Sequence, residues 1–309
     1  MAITFPNRRT LLKGIAASNL ALLGWPLTSA GDTTLSVQQL NDRLSLITGA
    51  GGNVVLYKGN DGLTLIDSGS PESTAELLAL VAELGNKAPL KTLINTHWHE
   101  DHSGGNEAIH ALGAQIIAHE NTKLWLGADF DVEWRQTSHK PRPAEALPDL
   151  TTYTQDTLDL GGETVEYGNY AQAHTDGDLY VWFPTSNVLV AGGLMTNKKY
   201  PITDIATGGW IGGLLAANKA MLELVNDNTM IIPDRGPAMT KADLQVQHDM
   251  LNDLYEKMKE LARNGISGQD MLKEKVTADY DAIWGDPEEF VLETYRGMWA
   301  HTYDMGGFI

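Results

Sequence analysis

Three histidines stand within six residues at positions 97–102, where the sequence reads HWHEDH. Neutral imidazole and carboxylate groups bind zinc-like dications, and imidazole favours transition metals over calcium or magnesium. In an extended chain, His97, His99 and Asp101 point to one side, whereas His102 points elsewhere unless the chain turns. Two neighbouring metal positions would use both directions, so the spacing predicts a metal site.

The segments on either side of this cluster predict how it is positioned. Residues 90–96 (LKTLINT) have the β-branched and apolar character of a short buried strand, and residues 103–107 (SGGNE) are typical of a turn followed by a helix start. The cluster is therefore predicted on a strand-to-helix loop, where α/β enzymes often place catalytic groups. A histidine-rich surface loop without a metal is the alternative.

The motif His-x-His-x-Asp-His after a buried strand resembles the signature of the metallo-β-lactamase-fold hydrolases, in particular their glyoxalase-II-like and periplasmic members. Further segments occur in that family's order over most of the chain: TLIDSG at 64–69, AHTDGD at 173–178, VLVAGG at 188–193 and IIPDRGP at 231–237. The resemblance implies an α/β fold, a four-layer αββα sandwich with a C-terminal helical segment.

The resemblance also implies the residues that would bind zinc. The first ion would be held by His97, His99 and His174, because three histidines with an open fourth position make a catalytic zinc site. Asp101 and His102 would remain as ligands of a second ion. Two protein ligands seldom hold zinc firmly.

Two positions depart from the family's pattern. Gly193 stands where hydrolytic members usually have an aspartate that bridges two metals, and glycine has no side-chain ligand atom. Arg235 stands where the family usually has a histidine of the second metal site, and arginine is a permanent cation that cannot bind a dication. We therefore expect one firmly bound zinc ion, with a second that is weak or absent.

Charged residues near the altered positions predict the electrostatics of the site. The Arg235 cation would partly replace the second metal and would hold Asp101 or polarise a substrate oxygen. Asp234 would either turn inward as a substitute ligand or pair with Arg235 at the surface. The resemblance implies that Asp67 accepts a hydrogen bond near the metal loop and orients its ligands.

The chemistry predicted from these residues is metal-assisted hydrolysis of a small-molecule ester, thioester, lactone or amide, β-lactams included. Asp101 and Arg235 are the expected catalytic residues. Asp101 would accept a proton from the attacking water, and Arg235 would stabilise the oxyanion. Two alternatives are a catalytically impaired protein that acts as a binding or regulatory module, and an oxygen-using iron protein, since imidazole also suits iron.

The N-terminus, NRRTLLK at residues 7–13, resembles a twin-arginine (Tat) export signal. The apolar stretch at 14–27 is too short and too interrupted for a stable transmembrane span, and small residues up to Ala30 predict cleavage there. We expect a signal peptide at 1–30 and one hydrolase domain at 31–309, exported to the periplasm by the Tat route. An uncleaved N-terminal anchor is the alternative.

The composition limits the partners. The chain has 40 acidic and 22 basic residues and a formal net charge of −18. The charged residues in the leader are all basic, so its cleavage would make the net charge more negative. Such a protein is expected to bind neither nucleic acid nor, without its leader, a membrane. The chain has no cysteine, which excludes disulfides and thiolate ligands. The oligomeric state is left open.

The order of strand-like and helix-like segments along the chain predicts sheets inside, helices outside and a mainly helical chain after Lys241. Residues 127–150 contain three prolines and few apolar runs, and they predict a long loop over the active-site face. Trp125 and Trp134 would either line a substrate cleft or pack in the core. Five histidines have no partner at ligand spacing and are not expected to bind metal: His110, His119, His139, His248 and His301.

Overall fold

The computed structural model of the protein describes residues 34–301. The predicted leader at residues 1–30 lies outside the described residues, so its cleavage site and its export route stay predictions. Between residues 34 and 301, no helix is both long enough and apolar enough to cross a membrane.

Two large β-sheets and a small hairpin contain the strands of the described chain. In chain order the strands are β1 (Ser36–Gln39), β2 (Leu44–Ala50), β3 (Gly52–Lys58), β4 (Leu63–Ile66), β5 (Leu90–Ile94), β6 (Gln115–His119), β7 (Phe130–Val132), β8 (Thr137–His139), β9 (Leu150–Thr152), β10 (Asp156–Asp159), β11 (Thr164–Asn169), β12 (Leu179–Phe183), β13 (Val188–Gly192) and β14 (Met230–Pro233). The first sheet has the order β1-β2-β3-β4-β5-β6-β9, the second runs from β10 to β14, and β7 pairs with β8.

Parallel pairing determines where the loops of the first sheet meet. Strands β1 to β4 pair antiparallel, whereas β4, β5, β6 and β9 pair in parallel. Parallel strands end at the same edge of a sheet, so the loops that follow β4 and β5 lie side by side. The backbone N–H of Asp67, just after β4, donates to the carbonyl of Ile94 at the end of β5.

Helices cover the outer faces of both sheets. They are α1 (Thr74–Leu84), α2 (Glu100–Ser103), α3 (Asn106–Ala111), α4 (Glu120–Leu126), α5 (Ile211–Leu224), α6 (Lys241–Arg263), α7 (Gly268–Lys273), α8 (Asp281–Trp284) and α9 (Glu288–Ala300). Helix α6 begins with a capping box, in which the side chains of Thr240 and Asp243 each accept a hydrogen bond from the other's backbone N–H. Leu244, Leu251 and Leu254 of α6 are fully buried, which agrees with the helical stripe expected after Lys241.

Three clusters of buried apolar residues lie between the four layers of helices and sheets. The cluster between the two sheets contains Leu46 and Val55 of the first sheet and Val181 and Val190 of the second. Another cluster packs the first sheet against helices α1 and α3, and includes Leu77. The third packs the second sheet against helices α5, α6 and α9. The predicted αββα sandwich with its C-terminal helical segment is confirmed.

Residues 127–150 are more regular than predicted. The sequence indicated a long loop, whereas the structure has the hairpin β7–β8, a short 3-10 helix at Ala144–Ala146 and the start of the edge strand β9 at Leu150. These three-residue strands are largely exposed, so they lack the alternation of apolar and polar residues by which a strand is recognised. Phe130 of β7 packs edge-on against Trp98, so the hairpin borders the histidine loop.

Candidate metal centre

Loops from both sheets bring three histidines together. Strand β5 ends at Ile94, His97 and His99 follow in the next loop, and α2 begins at Glu100. His174 lies between β11 and β12 of the other sheet. The ligand-capable nitrogen atoms of these three histidines all lie within 4.8 Å of one another. The predicted strand-to-helix loop therefore contributes two members of the cluster.

Hydrogen bonds determine which ring nitrogens of His99 and His174 are protonated. His99 Nε2 lies 3.1 Å from the Asp204 carboxylate and donates to it, so the lone pair is on Nδ1. His174 Nδ1 donates to the Ile202 carbonyl at 2.6 Å, so the lone pair is on Nε2. These two lone-pair nitrogens face each other at 3.0 Å. They cannot hydrogen-bond to each other, whereas a dication could bind both.

His97 is oriented by a chain of hydrogen bonds that starts at Asp67. The Thr96 hydroxyl donates to Asp67 Oδ2 at 2.7 Å, so its oxygen is left to accept from His97 Nδ1 at 3.0 Å. The lone pair of the buried His97 ring is therefore on Nε2. The cluster offers two Nε2 atoms and one Nδ1 atom of neutral imidazoles, a donor set that fits a zinc ion.

A second cluster adjoins the first and consists of His97, His102 and Asp234. His102 Nδ1 lies 2.7 Å from Asp67 Oδ2, and His102 Nε2 lies 2.6 Å from Asp234 Oδ1. Burial lowers the pKa of His102, but the two carboxylates outweigh burial and raise this pKa well above its ordinary value. Burial raises the pKa of Asp234, but the hydrogen bond and charge of His102 hold it below the usual range. A protonated imidazolium has no lone pair for a metal.

Arg235 lies beside the second cluster and joins two carboxylates. Its Nη2 atom contacts Asp101 Oδ2, and its Nε atom donates to Asp234 Oδ2 at 3.2 Å. Its Nη1 atom donates to the Gly51 carbonyl at 3.0 Å. A planar guanidinium can contact several oxygens at once in this way, which an ammonium cannot do with the same geometry.

The profile of the metallo-beta-lactamase superfamily matches residues 47–243, a span that includes both clusters and Arg235. The chain belongs to the metallo-beta-lactamase superfamily. The resemblance expected from the five sequence segments is thereby confirmed. The match covers the sandwich and ends near the start of helix α6, so it does not include most of the C-terminal helical segment.

Two curated relatives illustrate the range of this superfamily. The metallo-beta-lactamase type 2 of Bacillus sp. (strain 170) is 26% identical over 227 residues, which cover 71% of this chain and 82% of the relative. The hydroxyacylglutathione hydrolase of Erythrobacter litoralis (strain HTCC2594) is 29% identical over 99 residues, which cover 32% of this chain and 31% of the relative. Because these relatives are named for different substrates, membership of the superfamily does not identify the substrate.

Solved structures of the superfamily's fold agree with the architecture. A metallo-beta-lactamase from Pontibacter korlensis matches with a TM-score of 0.59 and 22% identity, over 71% of this chain and all of the other. The sec-alkylsulfatase Pisa1 from Pseudomonas sp. matches with a TM-score of 0.65 and 18% identity, over 85% of this chain and 50% of the other. At these identities the likeness supports the fold and nothing beyond it.

The structure distributes the predicted second-site residues differently from the sequence prediction. His102 belongs to the second cluster, but its partner there is Asp234. Asp101 lies outside both clusters, with its Oδ2 atom 3.7 Å from His102 Nε2. Asp234 turns inward and also pairs with Arg235, so the two alternatives considered for Asp234 occur together. Metal binding by Asp101 and His102 stays a prediction.

Gly193 leaves no room for the aspartate that the family usually has there. A Cβ atom built on Gly193 would lie 2.3 Å from His174 Cδ2, closer than real Cβ contacts come. Any side chain at this position would therefore displace the His174 ring. The glycine and the present orientation of His174 depend on each other.

Sequence reasoning identified Asp67 as an orienting residue but missed Asp204 and Arg135, which lie around His99. Asp204 is 105 residues from His99, and no local pattern marks a carboxylate that meets a ring so far away in sequence. Arg135 was missed for the same reason. Its Nη1 atom lies 3.4 Å from Asp204 Oδ1, and its Nη2 atom lies 3.1 Å from Glu293 Oε2 on helix α9.

A cavity of about 410 Å³ opens directly onto the first cluster. Its walls include His99, His174, Asp101, Arg235 and Lys199. A volume of this order is typical of small-molecule sites, and the polar groups that converge on one wall are typical of catalytic pockets. The cavity therefore gives a small molecule access to His99, His174 and the guanidinium of Arg235.

The remaining aromatic and histidine residues have other surroundings. Trp125 lines a second cavity, whereas the Trp134 indole donates to Glu293 at 2.9 Å and lines neither of the two cavities. Among residues 34–301, the histidines not expected to bind metal lie outside both clusters. His119, for example, caps helix α4 by accepting from the Asn121 backbone N–H.

Proposed function

We propose that the protein is a zinc-dependent hydrolase of small-molecule esters, thioesters, lactones or amides, β-lactams included. One zinc ion would be held by His97, His99 and His174. The single observation behind this proposal is the pair of lone-pair nitrogens, His99 Nδ1 and His174 Nε2, that face each other at 3.0 Å. When bound, zinc supplies Lewis acidity, which makes a nucleophile available from water near neutral pH.

Asp101 is proposed to accept the proton of the attacking water. Its Oδ2 atom is occupied by Arg235, and its Oδ1 atom has no hydrogen-bond partner in the part of the chain that the structure describes. The carboxylate lines the cavity, so Oδ1 is available to a water molecule there. Arg235 would hold the Asp101 carboxylate in one orientation while Oδ1 takes the proton.

Arg235 is further proposed to stabilise the oxyanion that develops on the substrate. Its side chain is 54% exposed and lines the same cavity as His99 and His174. A preorganised cation at a site of developing negative charge lowers the barrier without reorganisation during the reaction. This role would belong to the second metal in family members that have one.

Charge balance supports one zinc ion rather than two. The side chains of His102 and Arg235 donate to the carboxylates of Asp67, Asp101 and Asp234, so two cations already neutralise most of this negative charge. A second dication would have to displace a proton from His102 Nε2 and compete with the guanidinium. We therefore propose that a second zinc ion binds weakly or is absent.

Export completes the proposal. We propose that residues 1–30 are a Tat signal peptide and that the mature hydrolase works in the periplasm as a cofactor-loaded, folded protein. Fractionation of cells that express the full chain, with and without changes of Arg8 and Arg9 to Lys, tests this location. Retention of the twin-lysine variant in the cytoplasm is expected. Equal export of both forms would contradict the Tat route.

The first experiment is metal content per chain, measured by plasma mass spectrometry on protein purified without chelator, together with a screen of esters, thioesters, lactones and β-lactams. About one zinc per chain and hydrolysis of at least one class are expected. His97→Ala should lose both the zinc and the activity, whereas His110→Ala, a half-buried position outside both clusters, should keep both. Activity that survives in metal-free His97→Ala would overturn the mechanism.

A binding or regulatory role is the second candidate. It is favoured by the ion pair of Arg235 with Asp101, which ties up one oxygen of the proposed base, and by the hydrogen bonds that occupy both ring nitrogens of His102. The same substrate screen separates the two candidates. A zinc-loaded protein that hydrolyses none of the four classes would favour the binding role.

A further inference from the structure

A second cavity, of about 380 Å³, lies on the other side of His99. Its walls include the rings of Trp98, Trp125 and His139. Helix α4 contributes Trp125, the hairpin strand β8 contributes His139, and the metal loop contributes Trp98. His99 lines this cavity and also the cavity that contains Arg235, so one residue of the histidine cluster borders both cavities.

The rings around the second cavity are held in fixed positions. Phe130 stacks on His139 with ring centroids 4.6 Å apart, and it contacts Trp98 and Trp125 edge-on at 5.8 and 5.2 Å. His139 contacts Trp98 edge-on at 4.8 Å. Because the rings contact one another, the aromatic wall is formed before any ligand enters. A preformed wall reduces the ordering cost of binding.

The polar atoms of the two indole rings are already satisfied. Trp98 Nε1 donates to the Thr207 hydroxyl at 3.1 Å, and Trp125 Nε1 donates to Asp176 Oδ1 at 2.8 Å. The rings therefore offer carbon surfaces to the cavity rather than hydrogen-bond donors. Carbon surfaces of this kind favour a planar aromatic group, which gains stacked and edge-on contacts beyond simple burial.

The charged residues at the rim are paired within the protein. Lys140 donates to Asp129 at 2.7 Å, and Arg142 donates to Glu100 at 2.9 Å and to the Gly104 carbonyl at 3.2 Å. No side-chain charge of this rim is left to attract an ion. The second cavity thus differs from the first, whose wall combines the cations Arg235 and Lys199 with the carboxylates of Asp101 and Asp234.

We propose that the second cavity binds a neutral, planar aromatic group of the substrate, while the scissile carbonyl lies at His99 and the remainder of the substrate occupies the first cavity. The inference rests on the proposed hydrolase function and specifies its substrate class. The substrate would be an ester or amide whose aromatic substituent lies close to the reacting carbonyl. Trp125 and His139 would determine specificity without taking part in bond breaking.

A matched pair of esters tests the specificity. Benzyl acetate and cyclohexylmethyl acetate have similar size and similar alkoxide leaving groups, but only the first has a planar ring. On the zinc-loaded protein, the benzyl ester is expected to have a kcat/KM about tenfold higher, mainly through a lower KM. His139→Leu and Trp125→Leu should abolish this preference, and Trp125→Phe should restore part of it. Tyr153→Leu, an exposed aromatic position outside the cavity, should leave the preference unchanged.

Binding measured without turnover separates this inference from the proposed function. Ligand-observed NMR with 2-naphthylmethanol, a planar alcohol that cannot be hydrolysed, should detect binding to the full chain with and without zinc. His139→Leu should weaken that binding about tenfold. If no ester is hydrolysed but 2-naphthylmethanol binds in this way, the cavity assignment stands and the hydrolase proposal fails. If esters are hydrolysed without any preference for the ring, and 2-naphthylmethanol does not bind, the inference is overturned while the hydrolase proposal stands.

Discussion

Each clustered histidine has its tautomer set by a hydrogen bond to an oxygen atom of the protein. Asp204 accepts from His99, the Ile202 carbonyl accepts from His174, and the Asp67 carboxylate acts on His97 through Thr96. Asp67 has a φ of 62°, in the left-handed region that costs a non-glycine residue conformational energy. Its hydrogen bonds to Thr96 and His102 offset that cost, and strain of this kind is common at functional sites.

The Arg235 side chain is where the site differs most from the family's pattern, and its replacement tests whether the guanidinium acts as the second cation. Arg235→Gln keeps a polar side chain but removes the charge between Asp101 and Asp234. We expect kcat/KM to fall about 100-fold with the zinc content unchanged, the size of effect seen when one oxyanion-stabilising donor is lost. Steady-state kinetics and metal analysis on the same preparation measure both quantities.

Arg235→Lys is the matched comparison for that variant. A single ammonium keeps the charge but cannot reach Asp101, Asp234 and the Gly51 carbonyl together, so an intermediate loss is expected. Full activity in Arg235→Gln would show that the guanidinium has no part in the reaction. A gain of a second zinc ion in that variant would contradict the argument that the protonated His102 excludes it.

The sequence predicted the histidines of the site and the nearby Asp67, but not the other residues that surround the rings. The motif around His97 and His99 is local, and the segment that contains His174 has its own recognisable pattern. Asp204, the partner of His99, has no such pattern, because it is brought to His99 by the packing of loops 105 residues apart. For Asp234 the sequence left open an inward turn and a pair with Arg235, and the structure shows that both occur.

At the scale of elements, the hairpin β7–β8 connects the metal loop to the C-terminal helices. Arg135, between its two strands, lies 3.4 Å from Asp204, the residue that orients His99. Arg135 also lies 3.1 Å from Glu293 of helix α9. Glu293 is buried, with only 2% of its surface exposed. Arg135 of the hairpin therefore contacts both helix α9 and Asp204, the residue that orients the proposed zinc ligand His99.

Arg135→Leu tests how strongly this cation stabilises the hairpin against α9. The change leaves the buried Glu293 with fewer partners, although Arg296 still donates to it at 2.9 Å. Loss of one partner of a buried charged group typically costs about 1–3 kcal/mol, so the melting temperature should fall by roughly 2–10 °C. Thermal unfolding followed by circular dichroism gives this value. Lys140→Leu breaks the exposed ion pair with Asp129 and should leave the melting temperature unchanged. Equal melting temperatures of the two variants would contradict a stabilising role of Arg135.

The elements that could be predicted from the sequence are those with many buried residues. Strand β5 and helix α6 have several buried apolar residues, and the sequence predicted both. Strands β1 and β10 are mostly exposed and polar, and they were not predicted. Their strand conformation comes from pairing with neighbours in the folded sheet, which the local sequence does not encode.

At the scale of the whole molecule, the candidate metal centre joins the two halves of the sandwich. His97 and His99 follow a strand of the first sheet, and His174 precedes a strand of the second. Below the site the sheets are held together by an apolar cluster, whereas at the site three imidazole rings face one another. A bound zinc ion would therefore link the sheets at the edge where apolar packing ends. The order of five motifs in the sequence, rather than the periodicity of any one segment, allowed this two-sheet arrangement to be predicted.

Zinc should therefore stabilise the entire fold, because it binds the assembled site and has little affinity for the separated histidines of the unfolded chain. Free zinc at a thousandfold excess over the dissociation constant contributes about 4 kcal/mol, which corresponds to a rise in melting temperature of roughly 8–16 °C. Differential scanning calorimetry of the metal-free protein with and without added zinc measures this rise. His174→Ala removes the ligand from the second sheet and should abolish most of the rise, whereas His110→Ala should retain it. A rise of equal size in His174→Ala would mean that zinc stabilises the protein from some other site and does not link the two sheets.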